Sequence, residues 1–279
     1  MNMNIRLNGQ KTLRFLFLLI GVSMILFPLA VTLFTAMKTP EESAESFFSL
    51  PGSFYLGNFT EVIQKSNYWT YVMNSVIITG VSVLIILIIV PLVSYSISRN
   101  IHKRFYRWLY VAIIGGMFVP FQVIMLPLVK QMSALHLMNQ TGIIILYVTF
   151  AFIQGVFLCV GYLNSIPLEI EEAGVMDGCS IWQIFFRIVW PLLKPITFTI
   201  VIIKALWIWN DFLLPLIILN KSSEYWTLQL FQYNFKSQYS FDYNLAFASY
   251  VLSMLPIMIM YMFTQRYIVS GLTDGAIKS

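Results

Sequence analysis

Few residues in this chain have the types and spacing that chemistry needs, and they fall into two groups. One is the run Glu171-Glu172-Ala173-Gly174-Val175-Met176-Asp177-Gly178, three carboxylates and two glycines set between apolar stretches. The other is Lys204, Trp207, Asn210 and Asp211, polar and aromatic residues in and at the outer half of a single apolar run. Planar polar groups beside aromatic faces are what a sugar site is built from; polar side chains that hydrogen-bond neighbouring helices in a membrane bundle have the same make-up. Lys204 lies about 12 Å inside its run at 1.5 Å per residue. It either lines a polar pathway with Asp211, on the same helix face two turns on, or snorkels toward the surface or a neighbouring subunit. At about 10 Å apart the two cannot touch unless the helix bends. Nothing resembles a catalytic or metal set. His102 and His136 lie far apart, and Cys159 and Cys179 lack zinc-ligand spacing and cannot make a disulfide framework. Gly52 and Gly57 have phosphate-loop spacing, but Asn58 follows where lysine would stand. The expected chemistry is binding, without hydrolysis of a nucleotide by this chain.

The elements that carry these residues are membrane spans. Of 279 residues 58% are hydrophobic and 10% charged, against about 25% charged in a soluble domain, and several apolar runs reach the roughly 20 residues that cross about 30 Å of hydrocarbon. Six spans are predicted, at about residues 15–36, 72–98, 108–129, 142–164, 196–219 and 245–265. The first runs too long for a signal peptide and lacks a small-residue cleavage site before Lys38, so it reads as a retained anchor. Arg6, Lys11, Arg14, Arg99, Lys103, Arg104, Arg107, Arg187, Lys194, Arg266 and Lys278 fall on one side of these spans; Lys38, Lys65, Lys130, Lys221 and Lys236 fall on the other. The positive-inside rule makes both termini cytoplasmic. The net charge of +5 is scattered and lacks the clustering of a nucleic-acid-binding face. Pro91, Pro120, Pro127, Pro215 and Pro256, with Gly115-Gly116, interrupt the spans and free backbone polar groups, which together favour a partly wet transport pathway.

Between the fourth and fifth spans, Pro167 and the carboxylates Glu169, Glu171 and Glu172 suit a helix start. Asp177-Gly178 suits its end, and Ser180 with Gln183 has capping-box spacing for a second helix that stops before Pro191. The second helix carries Ile181, Trp182, Ile184, Phe185, Phe186, Ile188 and Val189, too apolar for water, and is expected to lie against the spans. Ala173, Gly174, Gly178 and Cys179 would let another protein approach the bend. An interfacial helix pair that merely connects two spans has a similar pattern. Outside, residues 38–70 and 220–242 form loops, the second rich in aromatic residues suited either to an interfacial belt or to docking.

The stretch Glu171 to Gly178, followed by Pro191 and Pro195, resembles the EAA loop of ABC importer permeases. "NFTEVIQ" at 58–64, "YVMNSVIIT" at 71–79, "WIWNDFLLPL" at 207–216 and "RYIVSGLTDGAIKS" at 266–279 resemble permeases of carbohydrate uptake systems of the maltose type. The resemblance implies an all-α integral membrane protein, the type I ABC importer permease fold with six transmembrane helices and cytoplasmic EAA coupling helices, in the bacterial cytoplasmic membrane. It implies residues 1–69 as tail, first span and outer loop, 70–265 as the transport core with a coupling loop at 165–195, and 266–279 as a cytoplasmic tail. Implied partners are a second homologous permease, two ATPase subunits, an extracellular sugar-binding protein and membrane lipid, with no nucleic acid. ATP and Mg belong to the ATPase, and this chain binds no cofactor. Glu171, Glu172, Ala173, Gly174, Asp177 and Gly178 would contact the ATPase. Gly271, Leu272, Thr273 and Gly275 would form a second ATPase contact, as an extended tail. Gly174 departs from the usual alanine, as do Cys179 and, from leucine, Trp190. A permease for another solute, or an ion-coupled transporter, are the rival functions; the latter calls for paired acids inside spans, where Asp211 stands alone.

Overall fold

The computed structural model describes residues 2–65, 67–232 and 242–276, with side chains described over 11–65, 67–232 and 242–262. These residues are helical, with no strand among them. In chain order the helices are α1 (Asn2–Ala36), α2 (Pro40–Glu45), α3 (Gly57–Gln64), α4 (Tyr68–Arg99), α5 (Arg104–Gly115) and α6 (Phe121–Ala134). There follow α7 (Gln140–Leu163), α8 (Glu169–Met176), α9 (Ile181–Ile184), α10 (Trp190–Asn210), α11 (Leu213–Leu219), α12 (Leu228–Phe231) and α13 (Tyr243–Ala276). Five stretches are long and apolar enough to cross a membrane, and α5 with α6 makes a sixth if bent pairs count as one span. They fall into two compact units, 1–68 with 232–256, and 69–231 with 257–279.

The third and fifth spans are interrupted, as their prolines and Gly115-Gly116 suggest, and the expected stop before Pro191 needs correction. The third is no single rod: α5 and α6 meet at 104° across Gly116–Pro120. A residue before proline is pushed to extended backbone, and Val119 sits at φ −87°, ψ 112°. The fifth breaks at Asp211, which is extended at ψ 129°, and resumes as α11. At the start of that span the helix does not stop before Pro191. It runs from Ile181 to Asn210 through one wide π turn at Phe185–Val189, where the Trp190 N–H donates to the Phe185 carbonyl five residues back. A proline has no N–H and its ring crowds the preceding turn; the wider turn makes room for it.

In the larger unit, α10 packs along α7. Gly155 permits close approach: a Cβ there would lie 3.1 Å from Val90 of α4 and 3.6 Å from Ile200 of α10, the small-residue contact that membrane helices use. Asn74 of α4 donates to the carbonyls of Glu224 and Trp226 and accepts from Gln140. Tyr71 packs on Trp226 and, at 4.8 Å between ring centres, on Phe231. These loop aromatics are thus spent on packing within the chain; residues 233–241 of that loop lie outside the described residues.

In the smaller unit the 38–58 loop is tied down by buried polar groups. Lys38 is wholly buried, and its three ammonium donors reach Ser46 O, Phe47 O and Ser49 Oγ at 3.0, 3.2 and 3.0 Å. Asn58 donates to the carbonyls of Ala36 and Lys38, and Asn244 donates to those of Thr35 and Lys38 and to Ser43 Oγ. Thr39 and Glu42 form a capping box on α2, and Glu42 also accepts from Gly52. Lys38→Met leaves the Ser46 and Phe47 carbonyls without this donor, at about 1–3 kcal/mol. The expected readout is faster hydrogen exchange at Tyr55, whose N–H bonds the Met37 carbonyl, with membrane insertion unchanged.

Candidate functional site

The carboxylate run folds as its caps dictate. Helix α8 begins with three acids in its first turn, where the helix dipole favours them. It ends at Asp177, and Gly178 turns the chain at φ +78°, a conformation glycine adopts without the cost a side chain brings. Ser180 then caps α9 in a full capping box with Gln183.

Adjacent residues on a helix point about 100° apart, so Glu171 and Glu172 have different fates. Glu171 is 8% exposed. Its Oε1 accepts from Arg99 Nε at 2.8 Å and Nη2 at 2.5 Å, and its Oε2 accepts from the Tyr95 hydroxyl at 2.8 Å. Arg99 also donates to the Leu163 carbonyl at 3.3 Å, so one guanidinium joins α4, the end of α7 and α8. Gly174 is buried too, and a Cβ there would lie 2.7 Å from Ile188 Cδ1. Its smallness therefore serves packing of α8 on the π turn, and the missing methyl of the EAA pattern has its reason inside this chain. Outward face Glu172, Ala173, Val175, Met176, Asp177 and Gly178, with Met176 86% exposed. Of the second helix, Ile184, Phe185 and Val189 pack inward, while Ile181, Trp182 and Phe186 remain exposed.

The second set of residues is brought together in part. Trp207 and Asp211 line a cavity of about 290 Å³ with Phe121, Phe150, Leu213 and Leu214. Phe121 and Phe150 meet edge to face at 5.7 Å. Asp211 accepts from the Tyr147 hydroxyl at 2.9 Å and from the Leu213 N–H at 3.1 Å, capping α11. Lys204 does not pair with Asp211; its ammonium donates to Gln154 Oε1 at 2.5 Å and lies 5.2 Å from the Trp207 ring centre. Tyr147 meets the same indole edge to face at 5.4 Å. Asn210 takes no part: its amide donates to the Leu206 carbonyl of its own helix. Sequence reasoning missed Tyr147, Gln154, Phe121 and Phe150. Tyr147 and Gln154 stand seven residues apart, as do Lys204 and Asp211, and that matched spacing is the signal that was there.

The third set lies on α13, whose backbone stays helical through Gly271, Leu272, Thr273 and Gly275 to Ala276, where an extended segment was expected. Adding residues to an existing helix is far easier than starting one, and the span supplies the start. Residues 277–279 lie outside the described residues.

A bent span, a broken span ending in a cavity and a helical hairpin tied to the bundle form the architecture of a type I ABC importer permease. A bacterial ABC transporter involved in import of the acidic polysaccharide alginate contains a chain of this fold, with a TM-score of 0.82 at 22% identity over 95% of this chain and 98% of that one. Residues 91–274 match the family of binding-protein-dependent transport system inner membrane components. The multiple sugar-binding transport system permease protein of Streptococcus mutans is 43% identical over 95% of this chain and 96% of its own length. A probable starch degradation products transport permease of Thermoanaerobacterium thermosulfurigenes is 35% identical over 90% and 91%. This chain belongs to the binding-protein-dependent transport system inner membrane component family. It is a multi-pass permease of the cytoplasmic membrane and not an enzyme.

Removing one partner of a buried ion pair strands the other charge at a cost of about 3–5 kcal/mol. Arg99→Met is expected to loosen α8 by that order, read as hydrogen exchange over residues 169–178. Adding Glu171→Leu is expected to restore most of the protection, and a double-mutant cycle measures the coupling.

Proposed function

We propose that this chain is one of two related permease subunits of an importer for an oligosaccharide, served by an extracellular sugar-binding protein and driven by two cytoplasmic ATPase subunits that hold ATP and Mg. The observation that carries this reading is mechanical. Gly174 packs α8 onto the π turn while Glu171 ties it to Arg99 of α4, and the π turn is continuous with the helix that carries Trp207 and ends beside Asp211. Thirty residues from Ile181 to Asn210 make a lever of about 45 Å at 1.5 Å per residue. An ATPase that grips Glu172, Ala173, Asp177 and Gly178 can thereby move the wall of the cavity.

The cargo follows from the cavity and the relatives together. Three aromatic rings and one carboxylate suit a pyranose ring, with Trp207 as the stacking face and Asp211 as acceptor, and relatives named for multiple sugars, starch products and arabinooligosaccharides favour the same class. The basic residues support cytoplasmic termini by the positive-inside rule, which a reporter fused after residue 279 tests. On that reading Gly271, Leu272, Thr273 and Gly275 form a second contact with the ATPases.

The reconstituted transporter separates these roles. Glu172→Lys is expected to abolish sugar-stimulated ATP hydrolysis while the permease stays in the membrane. Trp207→Ala is expected to weaken uptake while the ATPase still co-purifies. Deleting residues 271–279 is expected to reduce ATPase co-purification with the spans still inserted. Normal coupling in the Glu172→Lys protein would sink the docking assignment, and normal uptake in the Trp207→Ala protein the cavity assignment.

A further inference from the structure

Beside the Glu171 clamp lies a larger cavity of about 570 Å³ that neither docking nor the sugar path uses. Leu92, Ile97, Leu109 and Trp182 give it apolar walls, and Arg99 and Asn100 stand among its lining. Its volume lies within the roughly 300–1,000 Å³ of ordinary ligand sites.

Three observations identify its occupant. The first is depth. Helix α4 ends at Arg99, so a cavity lined by Leu92 through Asn100 occupies its last turns, where hydrocarbon gives way to headgroups. The second is uncovered apolar surface on the same side: Trp182 is 64% exposed, Ile181 73% exposed, and Trp182 stacks on the exposed Phe186 at 6.1 Å. Water would leave this surface costly, and tryptophan is at home at the membrane boundary.

The third is charge. Lys103 Nζ lies 2.8 Å from Asn100 Oδ1, which places an ammonium at the polar end of the cavity, and Arg104, Arg107 and Arg187 are exposed on α5 and the π turn. From Val62 to Leu168 the sequence has no acidic residue. Glu171 is neutralised by Arg99; the exposed acids Glu169, Glu172 and Asp177 belong to α8, and none lines the cavity.

We propose that this cavity holds an acyl chain of an anionic phospholipid of the surrounding bilayer, with the phosphate beside Lys103 and Arg104. Basic residues near the membrane surface attract anionic headgroups, and basic pockets between helices bind them specifically. The chain would lie between the end of α4, the start of α5 and α9, and so against both sides of the joint that the Arg99–Glu171 pair closes. Lipid charge would then bear on the joint through ordinary packing.

The test uses the complete transporter in nanodiscs of phosphatidylcholine containing either brominated phosphatidylglycerol or brominated phosphatidylcholine. Bromine quenches tryptophan on contact, and subtracting the Trp182→Phe signal isolates Trp182. Brominated phosphatidylglycerol is expected to quench Trp182 at a several-fold lower mole fraction than brominated phosphatidylcholine. The double variant Lys103→Glu, Arg104→Glu is expected to remove that preference. Equal quenching by the two lipids would mean bulk bilayer only, and no quenching by either would mean that the ATPase or another protein segment covers Trp182; either result overturns the proposal, as does a preference that survives the charge reversal. If the double variant fails to assemble, the comparison of the two lipids on the unaltered transporter decides alone. The readout is contact with lipid, so it stands or falls separately from the identity of the cargo.

Discussion

Hydrocarbon offers a peptide group no hydrogen-bond partner, so every interruption of a spanning helix must be satisfied from within the protein. The structure depends on how three interruptions meet that demand. At Gly116–Pro120 a short 3-10 turn bridges α5 and α6, and the Val119 N–H still reaches the Gly116 carbonyl at 3.4 Å. At Phe185–Val189 the ladder widens by one residue and continues. At Asp211 the ladder stops, and the carboxylate takes over one freed amide at the start of α11. Each break is thereby made tolerable by a different device, and each lies where the chain needs a bend, a joint or a cavity wall.

Division of labour between neighbouring glutamates follows from helix geometry alone. A helix as short as α8 buries too little apolar surface to hold an orientation, and isolated helices of this length are unstable in water. The buried pair Arg99–Glu171, with Tyr95 on the second oxygen, supplies orientation, and Gly174 supplies the close approach. Glu172 is left outward because Glu171 is inward. The docking proposed for α8 rests on that fixity, since a partner that pulled on a loose hairpin would transmit nothing to the span behind it.

Much of this was legible in the sequence, because the signals are local. The limits of α8, the turn at Gly178 and the box between Ser180 and Gln183 depend on residues within a few positions of one another, and caps declare themselves at that range. The spans declared themselves by length and hydropathy. What did not show were the choices made by distant packing. Nothing near Glu171 in the chain says that Arg99, 72 residues away, neutralises it, and nothing near Lys204 says that Gln154 receives it. Pro191 looked like a stop because an α-helix cannot tolerate it readily; a π turn before it can. The tail read as extended because it is short, polar and has Gly271 and Gly275, whereas the helix above it carries on.

The partners of Lys204 and Asp211 constrain how the permease can move. Lys204 bonds Gln154 and Asp211 bonds Tyr147, so the rungs between α7 and α10 run in opposite senses along the two helices, each pair seven residues apart, about 10 Å on a helix. Trp207 sits between the rungs, touching Lys204 on its face and Tyr147 at its edge. A slide of α10 along α7 would break both hydrogen bonds at once, taking Gln154 from Lys204 and the Tyr147 hydroxyl from Asp211 in a largely apolar setting, which is costly. A shift by one helical turn would not re-form them, because the two helices offer no second polar pair in register at these positions. Relative sliding is therefore the motion this interface resists. Rotation of α7, α10 and the cavity wall as one body keeps both rungs, and the helix that runs unbroken through the π turn joins such a body to the hairpin that Arg99 holds.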